Sequence, residues 1–109
     1  MRIILFRDDE YLVAQCLEYD IAAQGRTFDE VRRAFIATFA GEVALSLQAG
    51  RKPLEGIPEA PREFWRLLEK RGQFLRETVR VASAVSRTVR RRLPRGARLP
   101  DHADVAAVF

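Results

Sequence analysis

At 109 residues the chain has room for one domain with a core of modest size, and not for two full domains. A hydrophobic fraction of 48% excludes global disorder. Its single cysteine, Cys16, and single histidine, His102, exclude an intrachain disulfide and a Cys/His metal cluster within one protomer. The net charge of +4 is the balance of three unequal parts. Residues 1–61 carry seven basic and ten acidic side chains, residues 62–98 twelve basic and three acidic, and the last eleven residues only Asp101 and Asp104. No stretch approaches the ~20 consecutive apolar residues of a membrane span, and the first run is too short for a signal peptide. A cytoplasmic protein that does not enter the membrane is expected.

Residues 2–7 (RIILFR) form a β-prone run that ends in a polar turn at 8–10 (DDE). Residues 11–17 (YLVAQCL) alternate, with Tyr11, Val13 and Gln15 on one side and Leu12, Ala14 and Cys16 on the other. Two such strands joined by about three polar residues predict an antiparallel hairpin. Residues 20–24 offer a third, weaker strand before Gly25. Cys16, inside an alternating strand, reads as a small buried hydrophobe.

A helix is predicted over about 28–49. Thr27 suits the N-cap, and Glu30 is placed to reach back to the amide of the cap itself. Asp29 and Glu30 favour the positive end of the helix dipole. Val31, Phe35, Phe39, Val43 and Leu47 follow at four-residue spacing, with Ile36 and Ala40 widening the stripe, and Gly50 is the expected stop. A two- or three-stranded sheet is not stable alone in water, so this face is expected to cover it. The fold class is α+β: a β-β-β-α unit over residues 1–58.

Residues 50–61 (GRKPLEGIPEAP) read as a linker. Beyond Pro61 a 3-4 pattern runs through Trp65, Leu68, Gly72, Leu75, Val79, Ala82, Ser86, Val89 and Leu93. It predicts a long amphipathic helix over 59–93, with Gly72 the point at which it can divide, whose apolar seam (Trp65, Leu68, Leu75, Val79, Ala82, Val89 and Leu93) packs on a second copy or a partner protein. Packing of 62–71 on the domain itself is the alternative. Residues 94–109, with two prolines and a glycine, read as a tail.

Asp8, Asp9, Glu10, Glu18 and Asp20 crowd the hairpin, and a two-metal nuclease needs several converging carboxylates. Three of the five lie in a turn, and no further carboxylate is placed to join Glu18 and Asp20. No nucleophile–base pair and no phosphate-binding glycine loop is present, so no enzyme and no cofactor is expected. The basic segment is the stronger candidate. Arg87, Arg90, Arg91, Arg92, Arg95 and Arg98 place six cations within twelve residues, which suits a nucleic-acid backbone or an acidic partner. That segment has no aromatic residue for base stacking.

Residues 11–31 (YLVAQCLEYDIAAQGRTFDEV) resemble the N-terminal module of HicB-like antitoxins. The resemblance rests on the order and spacing of Tyr11, Val13, Ala14, Glu18, Gly25, Thr27 and Glu30, and covers about residues 2–49. It implies a degenerate RNase H-like β-β-β-α arrangement without catalytic carboxylates. It also implies a protein-binding module that covers a small basic ribonuclease toxin of the HicA type. The acidic first half is compatible with a basic partner. Val31 departs from the usual alanine, the proline–glycine signature between the second and third strands is missing, and no final strand is evident after the helix. Binding of a partner protein, with a homo-oligomer built on the seam, is the favoured function; nucleic-acid binding through 87–98 is the alternative.

Overall fold

The computed structural model describes residues 1–70, 76–80, 99 and 102–108. Its elements in chain order are β1 (Arg2–Asp8), β2 (Tyr11–Cys16), β3 (Ala22–Gly25), α1 (Phe28–Gln48), α2 (Arg62–Lys70), β4 (Arg76–Arg80) and β5 (His102–Ala107). The strands form one mixed sheet in the order β3-β2-β1-β5-β4. β5 runs parallel to β1, and the other neighbours are antiparallel. The α+β class and the β-β-β-α start are as expected.

Strand alternation sorts the core into two layers. Ile3, Leu12, Ala14, Cys16 and Ala103 meet Val31, Phe35, Phe39 and Val43 of α1 on one face. Ile4, Leu17 and Val108 lie on the other face with Ala60, packed by Phe64, Trp65, Leu67 and Leu68 of α2 and its flank. A helix therefore covers each side of the sheet. The hairpin is tighter than the sequence suggests: Asp8 pairs with Tyr11, leaving a two-residue loop in which Asp9 has a φ of 53°.

The start of α1 follows from local chemistry. The Thr27 hydroxyl accepts from the Glu30 amide at 3.2 Å. Glu30 reaches back as expected, but one residue further: its carboxylate accepts from the Arg26 amide at 2.7 Å. Gly25 makes this close return possible. A Cβ there would stand 2.6 Å from the Val31 nitrogen and 2.8 Å from the Glu30 Cβ, contacts that real side chains do not tolerate. Gly25→Ala should therefore destabilise the fold by about 1–3 kcal/mol, the usual cost of forcing bulk into a packed site. Urea denaturation checks this; an unchanged midpoint would mean that the strand–helix junction relaxes freely.

At its other end α1 stops where expected, with Gly50 at a φ of +72°. The segment 50–61 is not a loose linker. Leu54 is buried in the α1-side core, and its amide donates to Ser46 Oγ at 3.1 Å. The Asp20 amide donates to the Pro58 carbonyl at 2.7 Å, and the Ala60 amide to the Leu17 carbonyl at 2.9 Å.

Two expectations are corrected. A continuous helix over 59–93 is interrupted: α2 covers Arg62–Lys70 and residues 76–80 are strand β4, while 71–75 and 81–93 lie outside the described residues. Gly72 disfavours helix, and Arg76-Glu77-Thr78-Val79-Arg80 holds a single apolar residue, Val79, too few to fix a helical period there. In the sheet the segment pairs antiparallel with β5, from Arg76 opposite Ala106 to Arg80 opposite His102. The tail over 94–109 is likewise not a tail throughout, because residues 102–107 form β5 in the interior of the sheet.

Candidate functional site

The feature best suited to bind something is an open pocket of about 300 Å³ between α1 and the sheet. Its origin is a mismatch of side-chain size. Ala14 of β2 and Ala103 of β5 form part of its floor, where short side chains leave space beneath Phe35 and Ile36 of α1. The Phe35 and Phe39 rings lie 6.3 Å apart, near parallel at 23°. Asp29 and Arg32 are the charged residues among its described lining. Phe28 stands at the first turn of α1 with 55% of its surface exposed, and it too lines the pocket. An apolar hollow with a few charges in its lining is the usual form of a binding site.

Sequence reasoning found Phe35 and Phe39 as core and missed Phe28. The signal was available: Phe28 continues the Val31–Phe35–Phe39 stripe one turn backwards, to where the helix begins. An apolar stripe that starts at the very first turn leaves its end uncovered. The alanines of the floor gave no such signal: Ala14 in a strand reads as filler, and Ala103 fell in the segment read as a tail.

On the opposite face, Trp65 and Leu68 are partly buried and pack against the cluster of Ile4 and Leu17. The Arg2 guanidinium lies 4.5 Å from the Trp65 ring centroid. Val79 lies on β4, opposite Ala103. Leu75, Ala82, Val89 and Leu93 of the expected seam lie outside the described residues. So do all six arginines of the basic segment, Arg87, Arg90, Arg91, Arg92, Arg95 and Arg98.

Three of the five acidic residues of the hairpin region make separate local contacts. Asp20 accepts from Gln15 Nε2 at 3.0 Å. Glu10 lies 3.9 Å from Arg26. Glu18 holds Arg2 through both the backbone amide, at 2.8 Å, and Nε, at 3.1 Å. Among the described residues no group of three or more His, Cys, Asp and Glu is spaced to hold a metal ion. Cys16 is fully buried, and burial pushes its thiol pKa up, away from the reactive thiolate.

Partial burial alone would raise the Glu18 pKa, but the two hydrogen bonds from Arg2 outweigh it and hold the carboxyl below its ordinary value. A carboxylate lowered in the folded state contributes stability above its unfolded pKa. That contribution disappears as pH falls through the lower folded value. Glu18→Gln should therefore flatten the acid limb of the stability–pH curve and leave its slope near neutrality unchanged. Identical acid limbs in the two proteins would show that the Arg2–Glu18 pair adds nothing.

No protein-family model, curated protein or solved structure matches this chain. No helix among the described residues is long and apolar enough to cross a membrane.

Proposed function

We propose that this chain is a non-catalytic protein-binding module, a HicB-like antitoxin or a stand-alone regulator of the same kind. It binds a small basic protein that inserts an apolar side chain into the pocket between α1 and the sheet. The observation that carries this reading is the pocket itself: an apolar hollow of about 300 Å³ lined in part by an aromatic residue that is itself half exposed. Burying an exposed aromatic ring together with an anchoring side chain is how most interfaces gain their energy. The net charge of −3 over residues 1–61 favours a basic partner and speeds its approach.

Two features of the fold support the HicB-like part. The β-β-β-α order is the one the resemblance implies. The final strand that the sequence did not reveal after the first helix is supplied by β5, parallel to β1.

The test is co-expression of the chain with any small basic protein found encoded beside its gene, followed by calorimetry on the purified pair. Ala103→Leu fills the floor of the pocket with apolar bulk, and Phe28→Asp replaces its exposed ring with a charge. Each should leave the thermal transition in place and weaken the partner by about tenfold or more, the effect of losing one anchoring contact. A partner that binds both variants as tightly as the parent does not use the pocket. If no neighbouring protein binds the parent chain, the antitoxin reading fails. Light scattering on the chain alone reports separately whether it pairs with itself.

A further inference from the structure

No further inference is drawn: the strongest candidate, the uncharged outer face of helix α1 around Gly41 and the exposed Leu45, is an unpartnered stripe of mostly small residues, and nothing among the described residues shows what covers it.

Discussion

Phe39→Ala should lower the unfolding free energy by about 3–5 kcal/mol, the range for removing a buried aromatic side chain. Phe39 is 2% exposed, at the centre of the stripe by which α1 holds the sheet. Two terms add at this site. Transfer of the ring's apolar surface to water is lost, and the void left behind joins a pocket that is already there. Neighbouring side chains have little incentive to collapse into a larger hollow floored by alanines, so the cavity term should sit high in its range. Small domains are stable by only about 5–15 kcal/mol, so this one change removes a large share of the total. Leu45→Ala, on the same helix but 59% exposed, is the matched control and should shift stability by no more than about 0.5 kcal/mol. Denaturant titrations of the two variants decide the matter. A loss below that of the control would mean that α1 does not rest on the sheet through this face.

The first half of the fold was legible in the sequence because its signals are local and mutually consistent. Thr27 and Glu30 cap the helix they predict, Val31 to Val43 give a single periodicity, and Leu12, Ala14 and Cys16 share one face as read, the face that α1 covers. The second half was not legible, for three reasons rooted in the residues. Arg76 to Arg80 holds a single apolar residue, Val79, so spacing alone could not separate helix from strand. His102 to Ala107 has three alanines and a single β-branched residue, which hides a strand whose Ala103 and Ala106 are buried. Its place beside β1 is also a contact between residues about a hundred positions apart, and no local pattern records such a pairing. Similarly, Trp65 and Leu68 carried an apolar face that packs on the domain itself, the alternative that the stripe also allowed. The stripe specified that something must cover it, while Ile4 and Leu17 lay too far away in sequence to be recognised as the cover. The pocket was the least legible of all, since it arises where two strands far apart in sequence, on either side of β1, place small side chains on the same face of the sheet.

The placement of β5 carries the second large expectation. Deleting residues 99–109 should abolish the cooperative thermal transition. β5 is an inner strand: β1 pairs with it on one side and β4 on the other, so its removal leaves both without that backbone partner. The deletion also strips Ala103 and Val105 from the α1 side of the core, and Ala106 and Val108 from the other face. Had these residues been a tail, the same deletion would leave stability and solubility unaltered, so the two placements predict opposite results. A point variant separates the loss of the strand from the bluntness of truncation. Ala106→Asp places a charge at a position only 6% exposed, level with Ile4 on β1, where burial of an unpaired carboxylate costs several kcal/mol. Circular dichroism on both proteins reads the outcome directly. If the shortened chain melts at the parental temperature, the sheet ends at β1. If the point variant alone is tolerated, β5 pairs through its backbone but its side chains do not meet the core.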